Sequence, residues 1–199
     1  MIVLAGGIGS GKSVVARILR LKGYGVYDCD FEAKKLMNLD PALREAIIGI
    51  TGKNAYGGDG KLDRSYLASR IFEDNYIRGE INSVVHAAVR KDVVSWLEKD
   101  KWNIFVETAI ASESGLAEMA VQIWFVEATI EQRISRVRTR DSRTEDDILK
   151  IIEVQKREED SLLHSGKSLV HIHNNSGDLL LDRINQLCDS IDPRFITTN

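Results

Sequence analysis

An eight-residue stretch near the start of the chain has the residue types and spacing that bind phosphate. Residues 6–13 read Gly-Gly-Ile-Gly-Ser-Gly-Lys-Ser, which matches the pattern Gly-x-x-x-x-Gly-Lys-Ser, and they follow the apolar run Ile2 to Leu4. A loop that wraps an anion must turn its backbone N–H groups inwards, and this requires glycine where a Cβ would clash. The glycines expected to supply this freedom are Gly7, Gly9 and Gly11.

The two residues that close the pattern add charge and a metal ligand. Lys12 can bridge the outer phosphates of a nucleotide as a mobile point charge, and the Ser13 hydroxyl can ligate Mg²⁺. The stretch therefore predicts a P-loop, and the alternative is a glycine-rich turn between a strand and a helix. The residues predicted to bind the nucleotide here are Gly7, Ile8, Gly9, Ser10, Gly11, Lys12, Ser13 and Val14.

Two carboxylates follow the second apolar run of the chain. Asp28 and Asp30 flank Cys29 directly after Gly25 to Tyr27, and ligands of open α/β sheets bind beyond the carboxyl ends of the strands. Asp30 can accept the proton of an attacking hydroxyl, and Asp28 can orient the metal or its water shell. The alternative for Asp30 is an N-cap of the helix that follows.

A basic segment near the middle of the chain is the third candidate for chemistry. Five arginines occur from Arg133 to Arg143, and on a helix Arg133, Arg136 and Arg140 share one face. If this segment closes over a nucleotide as a lid, Arg140 can neutralise charge on a transferring phosphoryl group. The alternative is a solvated helix with acidic neighbours such as Asp141 as counter-ions.

The elements that must position these residues alternate between strands and helices. Helical patterns separate five short β-type runs, which indicates a parallel sheet with helical crossovers. Helix starts are marked by Asp40-Pro41 and by a capping-box pattern at Thr144 to Asp147. The β-type runs are Ile2 to Leu4, Gly25 to Asp28, Asn103 to Val106, Gln122 to Val126 and Leu169 to His173.

The segment between the second and third strands is too long for a single crossover and is predicted to be a helical insertion. The interpretation is one α/β unit over residues 1–199. Its core comprises about 1–30, 102–132 and 161–199, with an insertion of about 31–101 and a short lid of about 133–160.

Composition limits the partners of the protein. The formal net charge is −3 and the pI about 5.9, which argues against a protein that binds mainly to nucleic acid or to an anionic membrane surface. Cys29 and Cys188 are not spaced as a disulfide framework or a zinc site. No cleavage site is recognised, and no apolar run approaches the roughly 18 residues that cross a bilayer. These features predict a soluble protein of the cytoplasm, with no membrane or nucleic-acid partner, and they leave its oligomeric state open.

Nucleotide binding alone leaves a hydrolase, a kinase and a passive binding module open. The guanine-reading pattern Asn-Lys-x-Asp is missing from the sequence. The third β-type run ends in Phe105-Val106-Glu107, a weaker second phosphate motif than a strand that ends in aspartate. The paired aspartates and the arginine face favour phosphoryl transfer over passive binding, but they do not separate acceptors such as a nucleoside monophosphate or a sugar acid.

Across nearly the whole chain, the order of these motifs resembles that of the dephospho-coenzyme A kinases. The family commonly has threonine where this chain has Ala5 and Val14, and His-Pro where it has His86-Ala87. Its Pro-Leu-Leu-Phe-Glu stretch corresponds to residues 109–113. The motifs that carry the resemblance are residues 6–13, Asp28-x-Asp30, Asp59-Gly60-x-Leu62-Asp63-Arg64, the His86 region, Glu113-Ser-Gly-Leu116 and Arg136-x-x-x-Arg140-Asp141.

The resemblance implies a P-loop kinase fold and ATP-dependent phosphorylation of the ribose 3'-hydroxyl of dephospho-coenzyme A, with ATP and Mg²⁺. It further implies that residues 31–101 bind the acceptor and that Asn174 lies near the adenine of ATP. Without the resemblance, each of these residues has a purely structural interpretation. Asp63 and Arg64 would be a helix cap and a first-turn residue, His86 a core histidine and Asn174 a turn residue. The residues implied on the acceptor side are Asp28, Asp30, Asp63, Arg64 and His86.

Overall fold

A computed structural model describes residues 1–191; the last part of the predicted core range, residues 192–199, lies outside the described residues. The chain forms two compact units. One consists of Met1–Asp28 together with the chain from Ser95 onward, and the other is Cys29–Val94. Within residues 1–191, every helix is too short or too polar to span a membrane.

The first unit is built on one five-stranded sheet in which every strand pairing is parallel. The strand order is β2-β3-β1-β4-β5, so the first strand lies in the centre of the sheet. This confirms the predicted α/β class and the parallel sheet. Because the strands run in one direction, their carboxyl ends share one edge, where ligands of such sheets bind. The strands are β1 Ile2–Ala5, β2 Gly25–Asp28, β3 Asn103–Glu107, β4 Gln122–Glu127 and β5 Ser168–His173.

Helices cover this sheet and bury its apolar side chains. Phe105 and Trp124, on strands β3 and β4, are almost fully buried, and their rings meet edge to face with centroids 4.9 Å apart. The first helix adds Val15 and Leu19, which are fully buried in the same cluster. The helices of this unit are α1 Lys12–Leu21, α6 Leu116–Met119, α7 Ile130–Arg140, α8 Glu145–Leu163 and α9 Leu180–Asp189.

The starts of the helices have local causes. The Thr144 side chain accepts the backbone N–H of Asp147 at the start of α8, as the capping-box pattern predicts. The Thr129 side chain does the same for Gln132 at the start of α7. These caps satisfy N–H groups that have no partner within the helix.

The second unit is helical, as its pattern predicts. Asp40 caps α3 by accepting the N–H groups of Ala42 and Leu43, at 2.9 and 3.1 Å. A cluster of apolar side chains that includes Leu43 and Ile47 forms a separate core. The helices are α2 Cys29–Leu39, α3 Pro41–Thr51, α4 Arg64–Glu73 and α5 Asn75–Leu97, with a short 3-10 turn at Lys53–Ala55.

Candidate active site

The phosphate-binding motif forms a loop between the end of β1 and the start of α1, at the carboxyl edge of the sheet. Positive φ angles occur at Gly6, Gly9 and Gly11, at 147°, 74° and 94°. Such angles favour glycine because any Cβ would be strained. Gly7 does not have a positive φ, so its part of the predicted freedom is freedom from a Cβ clash, whereas Gly6, which was not named, also needs a positive φ.

Close packing explains the two inner glycines. A Cβ on Gly9 would lie 2.6 Å from the backbone oxygen of Arg133, so a side chain there would push the loop away from α7. A Cβ on Gly7 would meet the side chains of Arg133 and Gln155. The loop therefore packs closely against α7 and α8. A side chain at position 9 would meet the backbone of Arg133, whereas one at position 7 would have to displace the ends of the Arg133 and Gln155 side chains.

Two arginines of α7 bind the outside of the loop. Arg133 donates from Nε to the backbone oxygen of Ile8 at 2.8 Å. Arg136 donates from Nη1 to the backbone oxygens of Gly9 and Ser10, at 3.3 Å each. Burial lowers the pKa of Arg133, and the nearby Glu159 carboxylate opposes this effect. The helix face with Arg133, Arg136 and Arg140 was predicted either to cover phosphate or to face solvent. Two of these arginines instead bind carbonyl groups of the loop.

These bonds give the loop its orientation. In a trans peptide the carbonyl of one residue and the N–H of the next point in opposite directions. Because the carbonyls of residues 8 and 10 are held on the outside, the N–H groups of Gly9 and Gly11 turn to the other side. Backbone N–H groups that converge in this way create an anion-binding hollow. Arg133 and Arg136 therefore hold the loop in the orientation that the predicted phosphate site requires.

Asn174 fixes the same loop from the end of β5. Its side-chain nitrogen donates to the Ser10 oxygen at 2.8 Å, and its own backbone oxygen accepts from Arg136 Nη2 at 2.6 Å. It stands at the start of a turn that contains Gly177 at positive φ, as the turn interpretation predicts. The structure thus brings Asn174 to the predicted P-loop.

Lys12 contacts a carboxylate on the inner side of the loop. Its Nζ lies 3.6 Å from Oε1 of Glu107, and the two side chains are 16% and 9% exposed. Burial raises the pKa of Glu107, Lys12 lowers it, and the neighbouring Asp28 raises it. Glu107 was not among the predicted site residues. The signal available in the sequence was its position as the last residue of a strand, which was given less weight because that residue is not aspartate.

Asp28 and Ser13 lie at the same edge of the sheet. Asp28 ends β2, and its backbone pairs in register with Glu107 at the end of β3. Ser13 is the second residue of α1 and is exposed, as is Val14 after it. A hydroxyl and carboxylates supply oxygen ligands of the kind that Mg²⁺ prefers, and the role of Ser13 toward this ion stays a prediction.

The remaining acidic and acceptor-side predictions fall in the unit Cys29–Val94. Helix α2 begins at Cys29, so the exposed Asp30 lies in its first turn, and the interpretation of Asp30 as the N-cap is wrong. Asp63 is the N-cap of α4 and accepts the Tyr66 N–H at 2.9 Å, which confirms its capping role. Arg64 follows it and is exposed.

His86 lies on α5 and is half-buried; the core of this unit packs around its neighbours Val84 and Val85. The side chain is therefore accessible, unlike that of a fully buried core histidine. Its role toward an acceptor stays a prediction.

Arg140 ends α7 and is paired with the next residue. Its Nε and Nη2 each donate to one oxygen of Asp141 at 2.9 Å, and its side chain is 63% exposed. This hydrogen bond holds the pKa of Asp141 below its usual value. The counter-ion interpretation is confirmed for this pair, whereas the role of Arg140 toward a phosphoryl group stays a prediction.

Helix α8 adds two residues that the sequence did not suggest. Gln155 accepts the backbone N–H of Ile8, and Glu158 accepts the N–H groups of Ser112 and Glu113. No local pattern marks these two among the many polar residues of the helix, since their partners lie far away in the chain.

Comparison with known proteins agrees with this geometry. The family model for dephospho-CoA kinase matches residues 1–179. A dephospho-CoA kinase of Bacteroides fragilis is 35% identical over 159 residues, which is 79% of this chain and 77% of that protein. A crystal structure of TT1252 from Thermus thermophilus has a TM-score of 0.76 at 27% identity and covers 96% of this chain and 97% of its own.

A dephospho-CoA kinase structure from Campylobacter jejuni has a TM-score of 0.68 at 18% identity, with 96% of each chain covered. This likeness shows the fold, which is that of P-loop kinases, as the sequence predicts. The family match covers both the loop around Lys12 and the helical unit that follows it. The chain therefore belongs to the dephospho-CoA kinase family.

Proposed function

We propose that this protein transfers the γ-phosphoryl group of ATP to the ribose 3'-hydroxyl of dephospho-CoA, which gives coenzyme A and ADP in the last step of coenzyme A biosynthesis. The observation that carries the proposal is the loop at residues 6–13, with Lys12 beside Glu107, in a chain that belongs to this family. ATP and Mg²⁺ are abundant in the cytoplasm, and we place the reaction there.

On the nucleotide side, the loop from Gly7 to Val14 surrounds the polyphosphate, which is bound by inward N–H groups after Ile8 and by the N-terminus of α1. Lys12 moves from Glu107 to the outer phosphates, because a dense negative charge competes for its ammonium group. Asn174 borders the adenine end. Ser13 would hold Mg²⁺ through its hydroxyl, and the ion would supply positive charge that offsets the charge of the outer phosphates.

On the acceptor side, Asp30 accepts the proton of the 3'-hydroxyl as the hydroxyl oxygen attacks the γ-phosphorus and the bond to the ADP oxygen breaks. Asp28 lies on the acceptor side and would orient the metal or its water shell. Arg140 leaves Asp141 to neutralise charge on the transferring group. Asp63, Arg64 and His86 contact the acceptor, and their binding energy positions its hydroxyl in line.

The test is a panel of acceptors incubated with Mg-ATP, with products identified by mass. We expect kcat/KM for dephospho-CoA to exceed that for AMP, adenosine, gluconate or shikimate by orders of magnitude, because remote contacts position the hydroxyl. Coenzyme A is the matched negative control, since its 3'-oxygen is already phosphorylated. A Lys12→Ala preparation controls for contaminating kinases. Equal rates on AMP and dephospho-CoA would refute the proposed acceptor.

A further inference from the structure

Helix α8 contacts two separate loops of the first unit through side chains one turn apart. Gln155 Oε1 accepts the Ile8 N–H of the phosphate loop at 2.7 Å. Glu158 accepts the N–H of Ser112 at 2.5 Å and that of Glu113 at 3.2 Å, in the loop that follows β3. Residues three apart on a helix lie on the same face, so a single rigid element joins both loops.

We infer that Gln155 and Glu158 are positioning residues of the kinase: they act through backbone N–H groups and hold the phosphate loop and the 108–115 loop at a fixed separation. This inference rests on the proposed function for its catalytic consequence, but its structural part concerns nucleotide binding alone.

Ile8 is the point at which the phosphate loop is held. Its backbone oxygen accepts from Arg133 and its N–H donates to Gln155, so side chains of two helices occupy both of its backbone groups. Its side chain packs against the cluster of Val137, Ile148 and Ile152 between α7 and α8. Ile8 therefore anchors the loop to the helices, and the phosphate side of the loop is left to the residues after it.

The side chain of Gln155 is uncharged, which suits its position close to the proposed phosphate site. Glu158 and Glu159 line the same small cavity beside Gly7, and the loop must hold several negative charges of a polyphosphate. An amide oxygen accepts the Ile8 N–H without a further negative charge at this place. A glutamate at position 155 would keep an acceptor but would repel the phosphates.

Glu158 holds the second loop, residues 108–115, through a charged side chain. Its two carboxylate oxygens accept two successive N–H groups, and charge-assisted bonds of this kind are stronger than neutral ones. The bound segment leads into the exposed Glu113 and the start of α6. Loss of Glu158 would release this loop while leaving the phosphate loop bound through Gln155.

The same contacts limit which part of the predicted lid can close. A displacement of all of residues 133–160 would break the bonds of Arg133, Gln155 and Glu158. The turn between α7 and α8, residues 141–144, carries no such bond to the phosphate loop among the described contacts. We expect closure to involve this turn and not the whole of α8.

The experiment measures the affinity for a non-hydrolysable ATP analogue by calorimetry and the hydrogen exchange of the Ile8 amide. In Gln155→Ala we expect faster exchange at Ile8 and a Kd for the analogue about tenfold higher, the factor that corresponds to one lost hydrogen bond. Gln155→Glu should keep the Ile8 amide protected and still weaken binding. The matched control is Glu153→Gln, because Glu153 lies on the same helix, is 72% exposed and pairs with Lys156.

For Glu158→Ala we expect faster exchange at Ser112 and Glu113 and a loss of about tenfold in kcat/KM for dephospho-CoA, with the analogue Kd within twofold of wild type. Unchanged exchange at Ile8 in Gln155→Ala, or faster exchange with an unchanged Kd, would overturn the inference for Gln155. Unchanged exchange or an unchanged kcat/KM in Glu158→Ala would overturn it for Glu158. Because analogue binding and exchange need no acceptor, a wrong choice of acceptor would leave the Gln155 result readable.

Discussion

Replacing Glu107 by glutamine should separate the activity of this protein from its stability. Glu107 ends β3, its side chain is 9% exposed, and its carboxylate lies 3.6 Å from the Lys12 ammonium. Coulomb attraction at that distance is about 5 kcal/mol for an effective dielectric constant of about 20. Removing a charge from water costs several kcal/mol as well, so the net effect of the pair on stability is small.

The sign of the stability change follows from the pKa. Burial raises the pKa of Glu107 more than Lys12 lowers it, so the ionised carboxylate is a net cost in the folded state. The wild type therefore gains stability as pH falls through this raised pKa toward the unfolded value of about 4.3, and the glutamine variant lacks this gain. We expect Glu107→Gln to be more stable than wild type at pH 7, and this difference to shrink at low pH.

Activity should change in the opposite direction. Glu107 holds the Lys12 ammonium at the loop before the nucleotide binds. Without the carboxylate this preorganised position is lost, and we expect a loss of activity of about 10- to 100-fold, the range found for partners that orient metal ligands. Urea unfolding from pH 4 to 8 gives the stability difference, and single-turnover transfer at saturating ATP gives the rate. Glu118→Gln is a control, since that side chain is exposed. A variant that is less stable at pH 7 and transfers phosphate at the wild-type rate would refute this reasoning.

Three further predictions concern residues proposed for the reaction. Lys12→Ala should keep its circular dichroism spectrum and lose nearly all turnover, since the side chain acts on phosphate; wild-type kcat would contradict a phosphate role. Asp30→Asn should lower the single-turnover rate about 10²- to 10⁴-fold if Asp30 is the base. It should cost only about 0.5 kcal/mol of unfolding free energy, because the carboxylate lies in the first turn of α2; a rate within about threefold of wild type would mean that another group accepts the proton. Trypsin should cut residues 133–143 more slowly when ATP analogue and acceptor are bound, and Arg140→Ala should reduce this protection; equal cleavage with and without ligands would argue against closure.

Features with local causes could be predicted from the sequence. All five strands lie within about a residue of their apolar runs. The central strands β1, β3 and β4 are buried on both faces and therefore read as short apolar stretches. The caps at Asp40 and Thr144 depend only on neighbours two or three residues away. The phosphate loop is likewise local, because its residue types and its place between strand and helix occur within one short segment.

Errors arose where a local feature has more than one solution. Gly6 adopts a positive φ although it was not among the glycines predicted to supply backbone freedom, and the close packing of Gly7 against Arg133 and Gln155 depends on helices far along the chain. Asp30 has the residue type of a cap, but α2 begins at Cys29. In both cases the residue type allowed several positions, and the surrounding chain selected one.

Only the tertiary structure decided what holds the loop in place. Ile8 lies 125 residues from Arg133 and 147 residues from Gln155 in the chain. Helix and strand patterns relate only residues that are close in sequence, so they could not predict these contacts. Glu107 reaches Lys12 because parallel pairing sets β3 beside β1 and brings both strand ends to one edge. The sequence by itself predicted a phosphate site after the first strand, since the loop pattern depends only on the chemistry of consecutive residues. Which side chains preorganise the loop was decided by the folded sheet and its helices, since hydrogen bonds depend on distances in space.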